Sequence, residues 1–97
     1  MTVSEDLLQR VWEKGDAANF DPEIWRKDQC GAWISRIRHG DRNSIYGWEF
    51  DHINPDGGDD PSNLRPLQWK NSIDKGKAGR LTCPVTADGN RNVERQR

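Results

Sequence analysis

The sequence predicts an α+β domain: an N-terminal helix, an upstream β-hairpin, and a strand, loop, strand and helix in succession, followed by a disordered tail. Three observations carry this expectation. Leu7, Leu8, Val11 and Trp12 recur at helical spacing. Trp48-Glu49-Phe50-Asp51-His52-Ile53 reads as extended and is cut off by a Pro, Gly, Asp, Ser and Asn loop over 54–63. Leu64-Arg65-Pro66-Leu67 then runs into Gln68-Trp69-Lys70-Asn71-Ser72, where the pattern turns helical.

In order, Ser4 caps a helix over 5–14 that Gly15 ends. Asp21-Pro22-Glu23-Ile24-Trp25 has the cap-then-proline pattern of a short helical turn. Ile and Arg alternate over 31–38 as in a strand, His39-Gly40-Asp41-Arg42 turns the chain, and 45–50 returns to pair with it as a hairpin. His39 reads as a turn residue only. Pro66 requires an unpaired or edge position, and residues 68–75 read as a helix with Trp69 and Ile73 inward, stopped by Gly76. The organisation expected is a helical arm over 1–19, one domain over 20–85, and a flexible tail over 86–97 with almost no apolar content.

Ninety-seven residues suffice for one domain, and one this small buries only roughly 60% of the surface its unfolded chain exposes. With 32% hydrophobic residues and a mean hydropathy of -1.08, the core must lean on Trp12, Trp25, Trp33, Trp48 and Trp69. These read as core rather than as base-stacking platforms, each burying about 150–250 Å². A net charge of -1 excludes a global polyanion binder, yet the charges are segregated. Basic segments over 26–42 and 62–80 flank Glu49, Asp51, Asp56, Asp59 and Asp60, which suits a phosphate backbone laid across a cation site. Solvated faces of a small protein are the plainer reading. No apolar run approaches the roughly 18 residues of a membrane span, and the acidic start lacks the marks of a signal peptide, so a cytoplasmic protein is expected. Cys30 and Cys83 belong to no CxxC pair. Unligated thiols in a reducing compartment are expected, with a disulfide or a partial metal site as alternatives.

Phosphodiester hydrolysis needs a water stripped of its proton and positive charge against the phosphate. An imidazole such as that of His52 suits the first task, and the Asp51 carboxylate with a carboxamide oxygen offers hard ligands that favour Mg²⁺ or Mn²⁺ over zinc. Adjacent strand residues point to opposite faces, so the two serve one site only if the strand ends or bends there, which Asn54-Pro55 allows. Asp56, Asp59 and Asp60 give no register with the spacing of a calcium-binding EF-hand loop.

These residues resemble the HNH endonuclease family, with its ββα-metal fold, in its small single-domain bacterial and phage branch. The resemblance spans roughly residues 20–80. It rests on Asp51-His52-Ile53, Gly57-Gly58-Asp59-Asp60, Ser62-Asn63-Leu64 and Leu67-Gln68-Trp69-Lys70-Asn71 with Lys75, preceded by Cys30-Gly31-Ala32-Trp33-Ile34 and Tyr46-Gly47-Trp48-Glu49. It implies a divalent-metal-dependent DNA endonuclease whose products carry a 5′-phosphate and a 3′-hydroxyl. Asp51 would bind the metal, Mg²⁺ or Mn²⁺ before Ni²⁺ or Zn²⁺, while His52 activates water and Asn63 holds the loop and orients the histidine. The third motif position falls on Ser72 instead of His or Asn, with Asn71 one residue earlier, so Asn71 or Ser72 is the expected further ligand. Adjacent helical residues differ by about 100° in direction, so Asn71 replaces the missing ligand only if the helix is rotated or its start is irregular, and Ser72 is a shorter, weaker oxygen donor. The loop before Asn63 is shorter than in many relatives, and the family's zinc-binding CxxC pairs are absent. Arg36, Arg38, Arg42, Lys70, Lys75 and Lys77 are the expected DNA phosphate contacts.

Ser72 also supports an alternative: a protein of this fold that has lost turnover and acts by binding nucleic acid, or as an adaptor among other subunits. A chain of this length has little room for a recognition module, so specificity is expected to be low or supplied by a protein partner.

Overall fold

The structure, a computed structural model, describes residues 4–95. Among them the order is α1 (Glu5–Trp12), β1 (Trp25–Lys27), β2 (Trp33–Ser35), a 3₁₀ turn (Arg36–Arg38), β3 (Trp48–His52), a second 3₁₀ turn (Pro61–Asn63), β4 (Leu64–Gln68), α2 (Trp69–Ala78), β5 (Val85–Asp88) and β6 (Arg91–Glu94). The strands form three antiparallel pairs, β1 with β2, β3 with β4 and β5 with β6. None of the described helices is long and apolar enough to cross a membrane.

Helix α1 begins where Ser4 Oγ accepts the Leu7 N–H at 3.1 Å, satisfying one of the orphan donors of a helix start. Its apolar stripe packs on the rest of the chain. Leu8, Val11 and Trp12 enter one core with Ile34, Trp48 and Leu64, and the Trp12 and Trp48 rings lie 5.4 Å apart. Burial of each such side chain contributes about 1.5–3 kcal/mol. His39 is more than a turn residue: it packs 4.7 Å from the Trp48 ring and 4.9 Å from Phe50, and this burial holds its pKa below the usual histidine value.

The upstream hairpin differs from expectation. The stretch over 31–38 does not pair along 45–50. Only Trp33–Ser35 is extended, and it pairs with β1, Arg26 opposite Ile34. Arg36–Arg38 winds into a 3₁₀ turn that leaves Ile37 80% exposed, so the Ile and Arg alternation marked no strand face. Two bonds tie β2 towards β3: Ser35 N–H to the Tyr46 carbonyl at 3.0 Å and Trp48 Nε1–H to the Ser35 carbonyl at 2.9 Å.

The β3, loop, β4 and α2 succession does form. Helix α2 runs through Gly76 and ends at Gly79, whose φ of 74° suits glycine at a helix C-terminus and whose N–H reaches the Lys75 carbonyl. Of its residues Asn71 is the buried one; Trp69 and Ile73 are half-buried.

The tail expectation is overturned for 86–95, while 96–97 lie outside the described residues. β5 and β6 form a hairpin that buries Val85 and is tied to Trp33 by amides. Asn92 Oδ1 accepts the Trp33 N–H at 2.6 Å, its Nδ2 donates to the Trp33 and Ile45 carbonyls, and Trp33 Nε1–H reaches the Gly89 carbonyl. Low apolar content therefore does not mark disorder here. Free thiols are overturned too. Cys30 and Cys83 form a disulfide with a Cα separation of 5.2 Å, and it anchors the segment that leads from α2 into β5.

Candidate functional site

The β3–β4 pairing places Asp51 opposite Arg65 and His52 opposite Leu64. At the end of β3 the chain leaves the ladder, and Asp51 and His52 both line one groove of about 570 Å³ with Arg65, Ser72, Lys75 and Arg80. The two adjacent residues thus border one groove at the end of the strand.

Asp51 is 6% exposed. Its Oδ2 accepts from Arg65 Nε at 2.7 Å and its Oδ1 from Lys75 Nζ at 2.9 Å, and the same ammonium donates to the His52 carbonyl at 2.8 Å. His52 is more open, its side chain 41% exposed, with Nε2 lying 2.6 Å from Asp59 Oδ1. An ionised carboxylate only accepts, so Nε2 carries the proton in this contact, and in the neutral form of the ring the lone pair falls on Nδ1.

Asn63 organises the loop between them. Its Oδ1 accepts the Asn54 N–H at 2.8 Å, while Nδ2 donates to the Asn54 and Gly58 carbonyls. This clamp fixes the turn that delivers Asp59 to His52. Asp60 caps the following 3₁₀ turn, and the Ser62 N–H and hydroxyl hold its carboxyl below the usual range. A Cβ at Gly57 would lie 2.6 Å from Asn63 Nδ2 and 3.1 Å from its Cγ. Gly57→Ala is therefore expected to displace the Asn63 amide and to lower stability by about 1–3 kcal/mol, read by urea denaturation. Unchanged stability would mean that the clamp is loose.

The sequence left Asn71 and Ser72 as rival ligands, and they separate clearly. Asn71 faces away from the groove. Its Nδ2 donates to Asp28 Oδ2 at 3.1 Å and to the Val85 carbonyl at 3.0 Å, and its Oδ1 accepts the Val85 N–H at 2.8 Å. The helical offset of about 100° between neighbours is the reason, and it leaves Ser72 on the groove.

The buried carboxylate beside Asn71 went unnoticed in the sequence. Asp28 is 2% exposed and accepts from the N–H groups of Cys30, Ala32 and Gln68 as well as from Asn71. Burial pushes its carboxyl above the usual value against those four donors.

Five of the six basic residues expected on phosphate do not line the groove. Arg36 is taken up by Gln9 and Glu5, Arg38 by Asp41, and Lys70 by Glu94 and the Trp69 ring. Arg42 is held bidentately by Glu49 at 2.6 and 3.0 Å, and Lys77 is exposed beyond the groove. Lys75 is there, joined by Arg65 and Arg80. Period-2 alternation across the strand pair placed Arg65 beside Asp51, a signal legible once the register was known.

The divalent ion that the resemblance implies asks for about six oxygen donors with lone pairs turned towards it. The residues present do not fit it. Each Asp51 oxygen already faces a fixed cation, Asn71 is turned into the core, and α2 offers only the Ser72 hydroxyl. A dication against Asp51 would also meet the like charges of Lys75 and Arg65. No family model, curated protein or solved structure matches the chain.

Proposed function

We propose that the protein is a nuclease acting on DNA phosphodiesters in the groove beside β3. The observation that carries this reading is the His52 imidazole. Oriented by Asp59 at 2.6 Å, it leaves Nδ1 open on the rim of a groove lined by Arg65, Lys75 and Arg80.

In this reading a water oxygen bonds to phosphorus while Nδ1 of His52 takes its proton. The bond from phosphorus to the 3′ oxygen breaks, and the departing oxygen takes a proton from solvent. A 5′-phosphate and a 3′-hydroxyl result. The groove cations offset the charge that develops on the non-bridging oxygens. Asn63 supports the step from a distance, because it fixes the loop that carries Asp59.

The test is cleavage of supercoiled plasmid by the purified protein, with and without Mg²⁺ or Mn²⁺. Cleavage that falls to background in His52→Ala is expected; an intact plasmid under every condition, with wild type and variant alike, refutes the reading.

A second reading, binding without turnover, is favoured by the inward turn of Asn71 and the double pairing of Asp51. It expects DNA binding without cleavage, and cleavage gained on Ser72→Asn would trace the loss to that ligand position.

A further inference from the structure

We infer that the groove captures a nucleic-acid phosphodiester with the chain's own cations, Lys75 and Arg65 standing where a divalent ion would be expected and Arg80 completing the anion site. The inference rests on the nuclease reading for the class of ligand. It departs from that family resemblance in how the charge is met.

The geometry of Asp51 is the starting point. Its two oxygens fix an ammonium and a guanidinium at 2.9 and 2.7 Å, both cations being largely buried, with side-chain exposures of 16% and 17%. Asp51 thus acts as the counter-ion that positions two cations. Neither cation is exhausted. An ammonium has three donors, and Lys75 spends two, on Asp51 and the His52 carbonyl. A guanidinium has five, and Arg65 uses Nε on Asp51 and Nη1 on Gln29, leaving Nη2 unspent.

Arg80 supplies the third charge. It lines the same groove and is exposed, with no carboxylate partner among the described residues. Three cations against the one carboxylate of Asp51 leave the groove positive while the whole chain carries -1. Gly76 and Gly79 border it without side chains, and a Cβ at either would meet nothing within 4 Å, so a strand can approach the rim. Planar guanidinium donors and a point-charge ammonium are the recurring partners of phosphate oxygens, and the site lies beside the His52 ring.

The experiment is fluorescence anisotropy of a fluorescein-labelled DNA oligonucleotide in EDTA across a salt series, together with electron paramagnetic resonance of added Mn²⁺. Binding is expected to persist in EDTA and to weaken log-linearly with salt. Arg80→Gln, a surface change, is expected to weaken it several-fold and to lower the salt slope by about one phosphate contact. The free Mn²⁺ signal is expected to stay undiminished. Oligonucleotide binding that requires Mn²⁺ and vanishes in EDTA overturns the inference, as does Mn²⁺ binding by the wild type that Asp51→Asn removes. Cleavage that needs both Mn²⁺ and His52 would sink this inference and leave the nuclease reading standing. EDTA-resistant binding with no His52-dependent cleavage would do the reverse.

Discussion

Asn71→Ala is expected to lower the unfolding free energy by about 3 kcal/mol without disturbing the groove directly. The Asn71 carboxamide makes three hydrogen bonds in a fully buried setting, two to the Val85 backbone and one to Asp28. Each is worth about 1 kcal/mol net, and a buried group left without its partner costs about 1–3 kcal/mol. The truncation leaves the Val85 N–H and C=O short of partners and removes one of the four donors on Asp28. Urea denaturation measures the loss. A ligand at the candidate site would behave oppositely, with catalysis impaired and stability kept, so the pair of measurements tests the structural role.

The same variant carries a pH signature. Burial holds the folded-state pKa of Asp28 above its unfolded value, so the native state binds the extra proton between the two. The stability contributed by this group is therefore present at low pH and falls as pH rises through the folded pKa. Losing the Asn71 donor raises that folded pKa further. The penalty of Asn71→Ala is thus expected to be smaller near about pH 4 than near about pH 7, and a pH-independent penalty would show that Asp28 does not feel the loss.

What the sequence disclosed divides by the range of the interaction. Asn63 and its loop were legible because turn chemistry is local: an amide, the Asn54 backbone and Gly58 lie within ten residues of one another. The β3, loop, β4 and α2 succession was legible for the same reason, and Gly79 instead of Gly76 ended the helix because one interior glycine costs only about 1 kcal/mol. Asp28 was not legible. It sits in an unpatterned stretch and meets Gln68 and Asn71 forty and more residues away. The upstream hairpin failed because alternation suggested a strand that the 3₁₀ turn at Arg36–Arg38 denies. The tail failed because Asn92 stabilises it with hydrogen bonds that hydropathy does not register. Ser72 on the groove followed from helix geometry as soon as Asn71 was seen to be buried.

Breaking the Cys30–Cys83 disulfide is expected to be the costlier change, at about 4 kcal/mol. The bond joins positions 53 apart, and closing a loop of that size removes about 4 kcal/mol of entropy from the unfolded chain. In a domain of this size that corresponds to a drop in Tm of roughly 15–30 °C. The cost has a local part as well. Cys83 adopts a φ of 56°, an unusual conformation for a non-glycine residue, and lies just after Leu81 at the end of the groove. Cys30 follows Asp28 in the turn where Asp28 Oδ1 accepts the Cys30 N–H. The bridge therefore fastens the α2 exit, the β5–β6 hairpin and the Asp28 turn together. Thermal unfolding with and without reductant, beside the Cys30→Ser/Cys83→Ser double variant, measures the effect. Equal Tm values in all three would remove the bond from the account of stability, whereas a large drop would tie the fold to oxidising conditions, under which such bonds persist.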